Sequence, residues 1–148
     1  MAFRFPLAGL LRLRQSQERQ QEFLLHEANA HLAEVGRAMA EVELAAAELK
    51  ASNASGLKAG IFAAELQFDR LRLTLLAKQR NQLERELTQA QDVCAQRRQA
   101  LRHARGQREI VETLRDRQLL AYKQLREKQG QQQVEELFLL RRNFLRRG

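Results

Sequence analysis

The side chains that could carry catalysis or bind a metal are few and form no catalytic pattern. Of the three histidines, His26 and His31 are five residues apart, whereas a spacing of four would place both on one helix face, and His103 is far from both. The only cysteine, Cys94, has no histidine placed by an evident motif to activate it. No glycine-rich phosphate loop occurs. We therefore predict that the chain is not an enzyme and has no metal or cofactor site.

The composition predicts an all-α fold built from long helices. The chain has 148 residues, of which 30% are charged, with seven Phe, one Tyr, no Trp and a single proline, Pro6. Few aromatic residues make a dense globular core difficult to build, and Ala, Leu, Glu, Arg and Gln are strong helix formers. Cys94 alone excludes an internal disulfide, and we interpret it as a small residue of a helix seam.

No run of eighteen apolar residues is present, so we expect no membrane span. The apolar opening is interrupted by Arg12 and Arg14 and is followed by no small-residue cleavage site, which argues against a secretory signal. These features predict a cytoplasmic protein.

Apolar residues recur at alternating steps of three and four, which is typical of a coiled-coil seam. The first seam comprises Leu25, Ala28, Leu32, Val35, Met39, Val42, Ala46 and Leu49. The second comprises Leu66, Leu73, Leu76, Arg80, Leu83, Leu87, Ala90, Cys94, Arg97, Leu101, Ala104, Arg108 and Val111. Beyond Val111 the favoured positions become Leu114, Gln118, Ala121 and Leu125, which predicts a stammer, a local overwinding of the supercoil.

The two seams predict a single domain, residues 1–148, folded as a long antiparallel two-helix coiled coil, or helical hairpin. Helix 1 is expected over about 7–52 and helix 2 over about 62–142. Residues 53–61 form the reversal loop, because small and turn-forming residues interrupt the pattern there. The unequal arms predict an overhanging C-terminal helix, and the register places Arg97 roughly opposite Glu18.

The excess positive charge lies in the second half of the chain. Residues 1–60 carry seven basic and seven acidic groups, whereas residues 61–148 carry nineteen and eleven. A basic stripe runs from Arg97 to Arg108 without an acid, and further arginines lie at both ends of the chain. Such a surface suits an acidic protein, a nucleic acid or an anionic bilayer, or is simply a solvated charged face.

Two groups of apolar residues lie off the seams. Phe68, Leu71 and Leu75 are predicted on the outward face of helix 2, where they either bind a partner or thicken the core near the loop. Residues 134–145 form an amphipathic basic segment that could pack on a partner helix or lie on a membrane, and we favour a partner.

The two ends of the chain resemble a known family. Residues 3–14, Phe-Arg-Phe-Pro-Leu-Ala-Gly-Leu-Leu-Arg-Leu-Arg, are similar to the start common in the flagellar export protein FliJ family. The C-terminal part resembles that family at Glu112-x-Leu114, Tyr122, Glu127-Lys128-Gln129 and Val134-Glu135-Glu136-Leu137. The length and the two-helix pattern are similar over the whole chain.

This resemblance implies a non-enzymatic, stalk-like component of the flagellar type III protein export apparatus. Family members insert into the hexameric export ATPase, promote its ring assembly and activity, and contact both the cytoplasmic domain of the membrane-embedded export gate and export chaperones. By the same resemblance, the protein lies in the cytoplasm, peripherally associated with the inner membrane at the flagellar base. We hypothesise that the ATPase binds a basic end comprising Arg4, Arg12, Arg14, Arg141, Arg142, Arg146 and Arg147. The gate would bind Phe68, Leu71 and Leu75.

Three other functions are compatible with these patterns. One is the equivalent stalk of a virulence-type secretion system. A second is a nucleic-acid-binding coiled coil that uses the stripe from Arg97 to Arg108, although the chain has no aromatic platform for bases, so nucleic acid is not an expected partner. The third is a scaffold in which the second helix pairs with another copy.

Overall fold

The computed structural model describes residues 2–60 and 62–147, and within these ranges it describes the side chains of all residues except 57–59. It contains two long helices that pack against each other, α1 (Ala8–Ala59) and α2 (Ala63–Arg147), and no strand within the described ranges. The predicted all-α class with two long helices is thereby confirmed.

Pro6 lies in a turn that leads into α1. The backbone N–H of Ala8 donates to the carbonyl oxygen of Phe5 at 3.2 Å, and the N–H of Leu11 donates to that of Leu7 at 2.9 Å. Proline has no N–H to donate and its ring fixes φ near the helical value, so it is tolerated immediately before the first helical hydrogen bonds. The single proline therefore marks a helix start.

Helix α1 extends seven residues beyond its predicted end and reaches Ala59. Ser52 to Gly56 are weak helix formers, and an interior glycine costs about 1 kcal/mol relative to alanine. However, Asn53 and Gly56 are half-buried and continue the four-and-three spacing from Leu49. Packing along one face thus outweighs local propensity, and the helix continues through the segment that the sequence predicts to be a loop.

The reversal between the helices is short. Gly60 has a φ of 79°, a left-handed conformation that glycine adopts without steric cost. The next residue, Ile61, belongs to the predicted loop but lies outside the described residues. The carbonyl oxygen of Phe62 accepts from the N–H groups of Glu65 at 3.1 Å and Leu66 at 3.3 Å, which begins α2. Glu65 in the first turn also complements the positive end of the helix dipole.

The chain divides into two compact units. The first, which we call the terminal unit, comprises Met1–Glu18 and His103–Gly148, and the second, the loop unit, comprises Arg19–Arg102.

In the loop unit, burial follows the predicted seams. All eight predicted positions from Leu25 to Leu49 are buried or half-buried, and in α2 Ala90 is buried and Cys94 is fully buried at 0% exposure. Of the predicted α2 seam positions in this unit, only Arg80 is exposed. Cys94 is a free thiol and fits here because a small side chain can be enclosed between two closely packed helices.

In the terminal unit, the predicted stammer is wrong. Beyond the buried Val111, the half-buried positions include Arg115, Gln118 and Tyr122, which keep the four-and-three spacing, while Leu114 and Leu125 are exposed. Arg and Gln can occupy such positions because their aliphatic stems cover apolar surface while their polar ends reach water. The Tyr122 ring packs on the Phe3 ring of the N-terminal segment, with 5.5 Å between ring centroids.

The last part of α2 is exposed as far as the structure describes it. Every residue from Lys123 to Arg147 is exposed, including all the large apolar side chains in this stretch. We call this stretch the C-terminal segment. The supercoiled geometry and the overhang of the C-terminal helix stay predictions.

Candidate functional site

Four charged side chains of the terminal unit, Glu18, Arg105, Arg108 and Glu112, form an ion cluster. Glu18 is 9% exposed, and its two carboxylate oxygens accept from Nε of Arg105 at 3.2 Å and from Nε of Arg108. Nη1 of Arg108 also donates to Glu112, one turn further along α2, at 2.5 Å. Every charged group of the cluster thus has a partner of opposite charge, as a buried carboxylate requires.

Hydrogen bonding to Glu18, with a further contribution from Glu112, raises the pKa of the Arg108 guanidinium above its ordinary value and outweighs the opposing effect of burial. Arg108 is therefore a permanent cation that neutralises the inward-facing carboxylate. The cluster is a structural element that joins α1 to α2.

The predicted pairing of Glu18 with Arg97 is wrong. Glu18 contacts arginines that lie about two to three helical turns further along α2. In the loop unit, Arg80 contacts Glu43 at 3.5 Å, a pair placed symmetrically about residues 61 and 62. The register differs from the predicted one because α1 continues through residues 53–59 and the chain reverses later.

The ion cluster also changes the interpretation of the basic stripe from Arg97 to Arg108. Two of its five arginines, Arg105 and Arg108, are held by Glu18 and Glu112. Arg98 and Arg102 are exposed and Arg97 is half-buried. A continuous row of arginines free to bind phosphates is therefore not present, which weakens the nucleic-acid hypothesis.

All seven arginines of the predicted ATPase-binding end lie in the terminal unit. Arg4 and Arg12 are exposed, whereas Arg14 is half-buried; its Nη1 donates to Gln17 at 3.2 Å and its Nε is buried without a hydrogen-bond partner among the described residues. The other four are exposed in the C-terminal segment, namely Arg141, Arg142, Arg146 and Arg147. Six of the seven arginines are thus exposed and accessible to a binding partner, whereas Arg14 is partly buried by the helix packing.

A shallow groove lies along the C-terminal segment, lined by Phe138, Leu145, Arg141, Arg142 and Arg146. Its apolar part is made by two large side chains that are 65% and 70% exposed. The groove combines apolar contact with positive charge, which suits a partner that offers an apolar side chain next to a carboxylate.

Phe68, Leu71 and Leu75 form an exposed apolar stripe in the loop unit. Their side chains are 64%, 64% and 58% exposed, while Leu66, Leu73 and Leu76 take the inward positions of the same turns. The alternative that these residues thicken the core is therefore wrong. Steps of three and four residues align the three side chains on one face of α2, as in a surface that binds a partner.

A second groove, which lies in the loop unit, was not predicted from the sequence. It runs between the helices, with Val42, Ala46 and Ala47 on α1 and Leu73, Leu76 and Ala77 on α2, and it is bordered by Lys50, Glu43, Arg80 and Thr74. Small alanine side chains leave the space open between two otherwise packed helices. The run of alanines at residues 45–47 is the sequence signal that could have indicated it.

Within the described part of the chain, no three His, Cys, Asp or Glu side chains come together as a possible metal site. Over the same residues, neither helix contains a stretch long and apolar enough to cross a membrane.

Two long packed helices, a polar cluster that joins them, and apolar and basic side chains exposed on their surfaces define an all-helical protein. The family comparison is specific: the model of the flagellar FliJ protein matches residues 3–148, so the chain belongs to the flagellar FliJ protein family. That family is a non-catalytic component of the flagellar export apparatus, which gives this chain a part in protein transport. Comparisons with curated proteins and with solved structures gave no match.

Proposed function

We propose that this protein acts as a stalk of the flagellar type III export apparatus, which binds the hexameric export ATPase and promotes its ring assembly and activity. The observation that carries the proposal is the exposure of the whole C-terminal segment, whose arginines and large apolar side chains are not covered by any described part of the chain. Exposed apolar side chains next to unpaired positive charge are costly to leave uncovered and are typical of a binding surface.

The proposed ATPase contact comprises the C-terminal arginines together with Arg4, Arg12 and the partly buried Arg14. A single asymmetric helical protein cannot make the same contacts with six identical subunits at once. Its binding energy therefore differs from subunit to subunit, and each difference shifts the conformational equilibrium of the subunit that it contacts. Differential binding of this kind couples the position of the stalk to ATP turnover.

The proposed contact with the cytoplasmic domain of the export gate is the stripe of Phe68, Leu71 and Leu75. Because these residues lie in the loop unit and the basic residues lie in the terminal unit, the two partners would use separate parts of the chain. The same protein also handles export chaperones in this proposal. It acts in the cytoplasm and is held peripherally at the inner membrane of the flagellar base through the gate.

The test is ATP hydrolysis and ring assembly by the purified flagellar export ATPase from the same source, with and without this protein at matched salt. We expect faster turnover and more hexamers with the wild-type chain. A variant in which Arg141, Arg142, Arg146 and Arg147 are replaced by Gln should lose both effects.

The matched control removes four exposed arginines from the loop unit, with Gln at positions Arg37, Arg72, Arg85 and Arg98. This control carries the same net charge as the C-terminal variant but keeps the C-terminal arginines. If the position of the charges determines binding, the control should still stimulate ATP hydrolysis and ring assembly. Equal loss in the two variants would mean that net charge alone explains binding. No stimulation by the wild-type chain, shown by circular dichroism to be helical, would contradict the ATPase assignment.

A further inference from the structure

The C-terminal segment carries one apolar face that nothing in the described chain covers. Val134, Leu137, Phe138 and Leu145 are 66%, 66%, 65% and 70% exposed. Their spacing of three, one and seven residues places them along one side of α2 within about three turns. We call these four residues the C-terminal face.

The charges beside this face are complementary but cannot pair within their own helix. Glu135 and Glu136 lie between Val134 and Leu137, Arg141 and Arg142 lie between Phe138 and Leu145, and none of the four charged residues has an ion-pair partner among the described residues. Oppositely charged side chains meet along a helix at separations of three or four residues, whereas these are five to seven apart. This stretch of helix therefore offers them no partner of opposite charge, and a second helix can supply one.

The separation of seven residues between Glu135 and Arg142 is informative. Seven residues are close to two full turns, so both side chains lie on the same flank of the C-terminal face. When two identical helices cross antiparallel about a two-fold axis, each flank meets the same flank of the other copy. An axis midway between these residues places Glu135 of each copy opposite Arg142 of the other.

We propose that the occupant of the C-terminal face is a second copy of this chain, paired antiparallel about a two-fold axis near residues 138 and 139. The axis stacks the apolar residues of both copies, with Phe138 at the centre, and forms two Glu135 to Arg142 ion pairs. An anionic lipid surface would attract the arginines of this segment but would bring Glu135 and Glu136 against negative charge, whereas a second copy offers partners for charges of both signs. The pairing covers the C-terminal arginines and thus competes with ATPase binding, but it does not depend on it.

Sedimentation equilibrium of the purified full chain, without the ATPase, tests the pairing. We expect the mass to rise from the monomer value of 17.2 kDa toward twice that value as the protein concentration increases. Either single charge reversal, Glu135→Arg or Arg142→Glu, replaces both symmetric ion pairs by repulsions and should weaken the dimer about tenfold. The double variant Glu135→Arg with Arg142→Glu should restore wild-type association.

Two matched controls separate this surface from general effects. Glu34→Arg makes the same charge change at an exposed position of the loop unit, and Phe23→Ala removes a phenylalanine there that is 60% exposed. Both should dimerise like the wild type, whereas Phe138→Ala should not. Helicity measured by circular dichroism should be the same for all of these variants, since the substituted side chains are exposed.

A chain that remains monomeric at every concentration overturns the proposal. A dimer whose affinity is unchanged by either single charge reversal also overturns the proposal. That result would indicate a parallel pairing, in which like residues lie opposite each other and a reversal exchanges one like-charge pair for another. A further experiment measures binding of the wild-type chain to vesicles that contain anionic phosphatidylglycerol, by flotation. Binding of a monomer to these vesicles that Phe138→Ala abolishes would assign the face to a lipid surface instead.

Discussion

The carboxylate of Glu18 on α1 accepts a hydrogen bond from Nε of Arg108 on α2, at a position where the glutamate is only 9% exposed. Because Arg108 also contacts Glu112 and Arg105 also donates to Glu18, the four side chains form one connected network. A buried carboxylate is costly unless cationic side chains lie beside it. Only one alignment of the two helices in the terminal unit brings both arginines to Glu18, so the network favours that alignment over those shifted by a turn.

The first prediction concerns the stability that this network provides. Glu18→Ala should lower the free energy of unfolding by about 2 kcal/mol, because it leaves Arg105 and Arg108 facing each other without the carboxylate between them. Urea unfolding followed by circular dichroism measures the loss. The control is Glu43→Ala, which breaks an exposed pair with Arg80 and should cost less than about 1 kcal/mol. Equal losses in the two variants would contradict a special role for the cluster.

The second prediction concerns pH. The pKa of Arg108 is raised in the folded state by its hydrogen bonds to Glu18 and Glu112. A raised pKa gives a stability contribution that is fully present below the pKa of the unfolded state and is lost only as the pH rises through the folded value. Both values lie above the usual working range, so the difference in unfolding free energy between wild type and Arg108→Gln should be the same at pH 7 and pH 9. A difference that shrinks by pH 9 would show that another group titrates in the cluster.

The third prediction concerns the turn. Gly60 has a φ of 79°, so Gly60→Ala should destabilise the protein by about 1 kcal/mol. Gly36 lies inside α1, where an added Cβ meets nothing within 4 Å, so Gly36→Ala should stabilise the protein by up to about 1 kcal/mol. Thermal unfolding of the two variants should therefore show shifts of opposite sign. An unchanged or higher melting temperature for Gly60→Ala would be inconsistent with a left-handed residue at position 60, and a lower one for Gly36→Ala would contradict the open space at position 36.

The fourth prediction concerns the apolar stripe. Replacing Phe68 and Leu75 by Ala should weaken binding to the purified cytoplasmic domain of the export gate at least about tenfold while helicity is unchanged, because both side chains are exposed. Titration calorimetry gives the affinity. Leu44→Ala, which removes a 60% exposed leucine from α1, is the control and should bind like the wild type. Unchanged affinity of the double variant would remove the stripe from the gate contact.

The amino-acid sequence by itself determined the fold class, all the inward positions predicted for the loop unit except Arg80, and the exposure of Phe68, Leu71 and Leu75. These properties follow from local periodicity, since the residues that recur every three and four positions must share one helix face. The terminal motifs also indicated the FliJ family, which the match over residues 3–148 confirms.

Only the tertiary structure decided where the chain reverses and therefore which residues face each other. Local propensity favoured a loop at residues 53–61, but half-buried Asn53 and Gly56 extend α1 to Ala59. Glu18 consequently meets Arg105 and Arg108, and Arg115, Gln118 and Tyr122 continue the spacing where a stammer was predicted. Pairing between distant segments depends on the sum of contacts along both helices, so a small gain at each turn can override the preference of a few residues.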